Sequence, residues 1–327
     1  MGTIFGDLLK YYREKAGFSQ ATLAEDLCSR EYIWKIETGK CLPSIDIVSK
    51  LSERLNVDLY GAFGNITNHH DAKTHIICSS FAEALKAKDY KKIMELLNLH
   101  ENSEPFLSGE PRQIICYAKT VIAFEINNDD NWGEWALEGI LTSNPSFSDN
   151  HKLNAFPSNI EFNLAKSYAI YLCLKKQSDY GLALLESIKE KAETLLNTCL
   201  YSLEYHRSFW INTVCSCVYH EFVFSESHDE RMLKSINDAL LLQKKSNRSH
   251  MLAELLLCKA VILMNLSLKE QALEAYNSAC AIGKFYSSDS SFNEKIRDNF
   301  ISHFSDISLF ETNAVTNADS VNESSKV

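Results

Sequence analysis

The chain has 327 residues, a length that suggests two domains, and its 45% hydrophobic and 23% charged residues are the composition of a soluble globular protein. Thirty-three Lys and Arg against 43 Asp and Glu leave a formal charge of −10, which excludes a chain-wide basic surface for nucleic acid; any such site must be local. Eleven Gly and five Pro argue against an all-β chain and for mostly helix, and no run approaches the roughly 18 apolar residues that a membrane span requires.

The segment Met1 to Arg13 carries Asp7, Lys10 and Arg13 among its apolar residues and does not read as a signal peptide. Ile4, Phe5, Leu8, Leu9 and Tyr12 have helical spacing, and Gly17 is a stop, which predicts one opening amphipathic helix. Ser19 is the N-cap of a short second helix, with Gln20 at its entrance and Leu23, Ala24 and Leu27 facing inward. Ser29 caps a third, Arg30 to Glu37, stopped at Thr38-Gly39; Ile33 and Ile36 face inward and Arg30, Glu31, Trp34 and Lys35 outward. Pro43 and Ser44 start a fourth helix with Ile45, Ile47, Val48, Leu51 and Leu55, and Leu59 and Phe63 offer a fifth element. Five short helices in about 65 residues predict a compact bundle over residues 1–66.

The strings Phe18-Ser19-Gln20-Ala21-Thr22-Leu23-Ala24-Glu25, Tyr32-Ile33-Trp34-Lys35-Ile36-Glu37-Thr38-Gly39 and Leu42-Pro43-Ser44 resemble the XRE (Cro/CI-like) helix-turn-helix over about 60 residues. The turn is shortened here to Leu27-Cys28-Ser29, similar to that of PlcR/Rgg-like regulators. The resemblance implies that Arg13 and Glu37 pair between the first and third helices. A major groove about 12 Å wide admits one helix, whose exposed N-terminal side chains reach base edges. Arg30 and Lys35 suit guanine, Glu31 a cytosine amine, and Trp34 a thymine methyl or the backbone. Ser19, Gln20, Ser29 and Lys40 complete the expected DNA-binding set at the helix entrances and on the phosphates. With eight basic and nine acidic side chains in residues 1–64, counterion release is modest, so a dimer on a pseudo-palindromic operator is expected.

Asn65 to Lys73 is polar and without apolar period, which predicts a linker over residues 67–75, with His69, His70 and His75 exposed and not metal ligands. From Ile76 the pattern is helix, short polar break, helix. Ile93-Met94, Ala136-Leu137, Ala183-Leu184, Ser235-Ile236 and Ala272-Leu273 mark the second helix of five pairs, near the period of paired-helix solenoids. The last pair, Ala253-x3-Leu257-x2-Ala260 with Ala272-Leu273-x2-Tyr276-x2-Ala279, is similar to a tetratricopeptide (TPR) repeat. Residues 76–310 are therefore expected to form a TPR-like, right-handed helical repeat domain, with a capping helix over 292–310 and a disordered tail, residues 311–327. The expected fold class is all-α.

A helix-turn-helix followed by such repeats resembles the RNPP (PlcR/Rgg-like) family of quorum-sensing regulators. That resemblance implies a cytoplasmic, homodimeric transcription regulator whose repeat domain binds a short signalling peptide on its concave face. An extended peptide needs amides that pair with its backbone and aromatic walls. Asn163, Tyr168, Tyr171, Tyr205, Trp210, Asn212 and Asn265, on the first helices of their pairs, are the candidates, although packing between helices is the commoner role for such aromatics and a solvated or capping role for such asparagines. The 25 basic and 34 acidic residues outside residues 1–64 suit a cationic peptide. A repeat domain that only dimerises or binds protein is the alternative. No glycine-rich phosphate loop, His-Glu-x-x-His or nucleophile elbow is present, and the ten cysteines lack paired CxxC spacing, so neither an enzyme nor a cofactor or metal is expected.

Overall fold

The computed structural model describes residues 2–59, 72–127, 129–147, 152–155, 157–198, 204–245 and 251–286. Every regular element among them is helical. The chain divides into two compact units, Met1–Asn150 and His151–Val327.

The first unit opens with α1 (Gly2–Lys15), α2 (Gln20–Ala24), α3 (Arg30–Glu37) and α4 (Ile45–Leu55). Phe5, Leu8, Leu9, Leu23, Ala24, Ile33, Ile36, Val48, Leu51, Leu55 and Leu59 form one buried cluster. Each of the larger side chains contributes roughly 1.5–3 kcal/mol by leaving water. Two serines start helices as expected: Ser19 Oγ accepts from the Thr22 amide (3.0 Å) and Ser29 Oγ from the Tyr32 amide (3.1 Å). Ser44 flanks α4 without such a bond. Gly6 lies where α1 crosses the end of α3; a Cβ there would sit 2.6 Å from the Glu37 carbonyl oxygen. Leu59 joins the core as expected, whereas Phe63 lies outside the described residues.

Two helix pairs complete this unit: α5 (Ala72–Ala87) with α6 (Tyr90–His100), and α7 (Gly109–Glu125) with α8 (Trp132–Ser143). A 3-10 turn, Glu104–Phe106, lies between the pairs and seats Phe106 in the core, its ring 6.4 Å from that of Phe81. α5 begins four residues earlier than its apolar pattern suggests, so His75 lies in a helix and is buried, with Nε2 3.4 Å from Tyr12 Oη of α1. Lys15 of α1 also pairs with Glu83 of α5 at the surface.

The second unit holds three more pairs: α9 (Asn159–Leu174) with α10 (Ser178–Thr198), α11 (Glu204–Phe224) with α12 (Glu230–Lys245), and α13 (Leu252–Asn265) with α14 (Lys269–Tyr286). All five doublets read from the sequence fall on second helices, and one member of each is buried: Ile93, Ala136, Leu184, Ile236 and Ala272. Three pairs turn in the same way, on a left-handed residue that is not glycine: Lys88, Lys176 and Ser267. At each, two amides cap the first helix, as where Lys176 N–H donates to the Cys173 carbonyl (3.3 Å) and Gln177 N–H to that of Leu172 (2.9 Å). Gly181 lets α10 cross α9 closely, since a Cβ there would meet the Ala169 carbonyl oxygen at 2.7 Å. Residues 292–310 and 311–327, expected to be a cap and a tail, lie outside the described residues.

Candidate functional site

α3 separates its residues by face. Ile33 and Ile36 are fully buried, while Arg30, Glu31 and Trp34 are exposed and Lys35 is half-buried. Glu31 and Lys35, one turn apart, form an ion pair at 2.9 Å. Lys35 accordingly holds the Glu31 carboxyl below its ordinary range, and Glu31 raises the Lys35 ammonium. Trp34 is 39% exposed, and Lys40 Nζ stands 4.0 Å from its ring centroid, a cation–π contact that tethers the cation beside α3. Arg30, in the first turn, has no intramolecular ion pair among the described residues, and it borders a shallow groove with Ala21, Thr22, Glu25 and Cys28.

The helix is held in place from behind. Arg13 of α1 meets Glu37 of α3 through two bonds, Nε–Oε1 at 2.5 Å and Nη2–Oε2 at 3.1 Å, both side chains being buried, and the contact raises the Arg13 pKa. Its Nη1 also donates to the Phe18 carbonyl (2.8 Å). Gln20 donates its side-chain amide to Glu37 Oε2 (2.8 Å), so this part of the expected phosphate contact is already committed inside the fold. Arg54, absent from the sequence reading, donates to the carbonyls of Leu23 (3.2 Å) and Glu25, and so ties α4 to the end of α2. Its signal was a cation in the last turn of α4. Asp26, at φ 57°, turns the chain between α2 and α3 within the short connection. Burial pushes the Cys28 thiol up, away from the reactive thiolate.

In the second unit the first helices of successive pairs are neighbours. The Phe162 and Phe209 rings of α9 and α11 lie 6.0 Å apart, and Tyr219 of α11 is close enough to Glu254 and Cys258 of α13 for their charges to raise its pKa, after burial. At 3.6 residues per turn, Asn163 and Tyr168 stand about 140° apart on α9 and do not share a face. Tyr168 instead stacks with Tyr171, ring centroids 6.3 Å apart. Trp210 is only 8% exposed and belongs to the buried stripe of Val214, Cys217 and Glu221, its ring stacked 6.0 Å from His206. Asn212 is half-buried on the more open side, and its Oδ1 accepts from Gln243 of α12 (3.4 Å); Asn265 is exposed at the end of α13. The Tyr205 side chain lies outside the described residues.

One turn beyond Asn163 on the same side of α9 is Lys166, which the sequence reading also missed. It is half-buried, and burial lowers its pKa. Its neighbours on α11 are neutral: the Cys217 thiol is pushed up to about 12 by burial, and His220 is pushed down to about 4, by burial first and by the Lys166 charge as well. The His220 Nδ1 lies 2.7 Å from the Ser216 carbonyl oxygen. The nearby carboxylates Glu186 and Glu221 are engaged by Lys189, at 2.5 and 3.0 Å. The sequence signal for Lys166 is a lone cation within the apolar run of α9.

No helix among the described residues is long and apolar enough to cross a membrane. No curated protein matches the sequence. In fold, the chain is similar to Bacillus thuringiensis PlcR solved with the peptide PapR7 and DNA (18% identity, 90% of this chain and 99% of that one, TM-score 0.54). It is also similar to PlcR in its apo form (16%, 89% and 98%, 0.51) and to the Streptococcus dysgalactiae SHP pheromone receptor Rgg2 (11%, 92% and 100%, 0.50). Residues 9–61 match the helix-turn-helix family model, which spans α2 and α3 and the groove between them. The α1–α4 bundle is thus a helix-turn-helix domain, set in a chain whose helical fold resembles those of PlcR and Rgg2.

Proposed function

We propose that the protein is a cytoplasmic, homodimeric transcription regulator that reads DNA through α3 and responds to a short signalling peptide held by its repeat domain. In this reading residues 1–66 are the DNA-binding domain, and the repeat, dimerisation and peptide-binding domain begins with α5 at Ala72 and runs to residue 310, which cuts the linker back to 67–71. The observation that carries the DNA part is the division of α3: Ile33 and Ile36 lock it into the core while Arg30, Glu31 and Trp34 stand in solvent. A helix so mounted, with its N-terminal turn free, fits the width of a major groove. Eight cations balanced by nine anions in residues 1–64 give one such domain weak non-specific binding, which favours two copies on one site. The peptide part is supported by the polar residues Asn163, Asn212 and Ser216 on neighbouring first helices, and by likeness of fold to PlcR, which was solved with PapR7 and DNA.

Selection from random duplexes with the full-length protein tests this. Enrichment of a pseudo-palindrome whose half-sites lie about 34–36 Å apart, or a multiple of that, is expected. Flat enrichment overturns the DNA reading. Sedimentation giving monomer both with and without the selected duplex overturns the dimer. A repeat domain that binds no peptide leaves the adaptor reading, in which the helix pairs only dimerise or hold a protein.

A further inference from the structure

A helix that enters the groove between two rows of phosphates ordinarily turns cations or neutral groups toward the duplex. α3 departs from this. At about 100° per residue, measured from the midpoint of the buried Ile33 and Ile36, Arg30 lies about 90° round the helix, Trp34 and Lys35 about 130° on either side, and Glu31 about 170°. The residue farthest from the core is therefore an anion, its side chain 70% exposed. Lys35 Nζ holds Glu31 Oε1 at 2.9 Å, and no hydrogen bond or ion pair takes Oε2 among the described residues. Lys35 thus offsets the charge at close range without using up the acceptor.

An ionised carboxylate only accepts, and the four bases differ in what they offer it in the major groove. Guanine presents two acceptors, N7 and O6; thymine presents O4 and a methyl; adenine presents an amine beside the N7 acceptor; cytosine presents an amine alone. Three of the four bases set an acceptor against Glu31, and cytosine does not.

We propose that Glu31 is a specificity-determining residue whose Oε2 accepts from the N4 amine of one cytosine in each half-site, with Lys35 kept on Oε1 as the local counter-charge. This inference rests on the reading of α3 as the helix that contacts DNA. It gives Lys35 a holding role in place of the guanine contact that its residue type suggests. It also makes Glu31 a residue that weakens binding to most sequences and so favours a few.

The test uses the full-length protein on duplexes selected from a random pool, with every single-base variant of the enriched half-site measured by competition. Wild type is expected to demand cytosine at one position, the other three bases binding about fivefold or more weakly. Glu31→Ala should bring the four bases at that position within about twofold of one another. It should also hold the guanine and thymine duplexes more tightly than wild type does, since the anion facing those acceptors is gone. Glu31→Gln should move the preference toward adenine, which an amide meets at N6 and N7. Replacing the cytosine with 2-pyrimidinone, which lacks the amine, should cost wild type several-fold more than it costs Glu31→Ala. A cytosine preference that survives in Glu31→Ala, or enrichment with no position that demands cytosine, overturns the proposal and leaves the DNA reading standing; the ion pair is then a support of the helix alone. Loss of all binding by both variants overturns it as well, because Glu31 would then serve every sequence alike. Flat enrichment by wild type overturns the DNA reading itself.

Discussion

Arg30 and Lys35 stand on the same helix but differ in what each must give up to meet a base. Lys35 has to leave Glu31, whereas Arg30 has no ion pair to break among the described residues. Arg30→Ala is therefore expected to weaken binding to a selected duplex by about 1–3 kcal/mol and to relax specificity at one position, as measured by competition against single-base variants. Lys40→Ala should instead weaken all duplexes alike and lower the slope of affinity against salt by about 1. Equal behaviour of the two variants would undo this division of roles. Behind the helix, Glu37→Ala strands Arg13 in the core and should cost about 3–5 kcal/mol in denaturant unfolding, far more than loss of an exposed pair. The inward and outward residues of α3 were legible from spacing, and so were the serine caps. The Glu31–Lys35 pair and the capture of Gln20 by Glu37 were not, because an exposed side chain has several partners in reach and the sequence does not rank them.

At the scale of elements, the helix pairs were legible because a small or apolar residue recurs where two helices must touch. Their turns were less so. Lys88, Lys176 and Ser267 occupy a left-handed position where glycine is the usual choice, and the polar breaks gave the place of the turn but not its backbone. Lys176→Gly should relieve that strain, partly offset by the greater conformational freedom of glycine in the unfolded chain, for a net gain of about 0.5 kcal/mol by chemical denaturation. Gly181→Ala acts the other way: its methyl meets the Ala169 carbonyl, and a loss of about 1–3 kcal/mol is expected in the same measurement. The early start of α5 had no apolar signal, since Lys73 and His75 read as linker until Tyr12 of α1 is placed beside the ring. Tertiary contact decided that boundary, not local pattern.

For the molecule as a whole, acid stability turns on two adjacent residues with opposite linkage. Glu221, 7% exposed, has its carboxyl pushed up to about 7, first by burial. The folded chain thus holds a proton that the unfolded one lacks, and stability from this group rises as pH falls from about 7 toward the ordinary carboxylate range. His220, held down to about 4, stays neutral while the unfolded imidazole takes a proton, so its share of stability falls as pH drops below about 6.5. The two offset each other across the mildly acid range. Relative to wild type, Glu221→Gln should lose melting temperature and His220→Gln should gain it as pH is lowered from 7 to 5; parallel curves for all three proteins would contradict the assignment.

The mounting of α1 has a mechanical corollary. One flank of this rod is pinned to the first hairpin by Tyr12–His75 and Lys15–Glu83, and the opposite flank to the reading helix by Arg13–Glu37 and the close crossing at Gly6. A push on the hairpin has a crank to travel through, so under the proposed function the pose of α3 against a duplex is set from the neighbouring helix pair as well as from within the bundle.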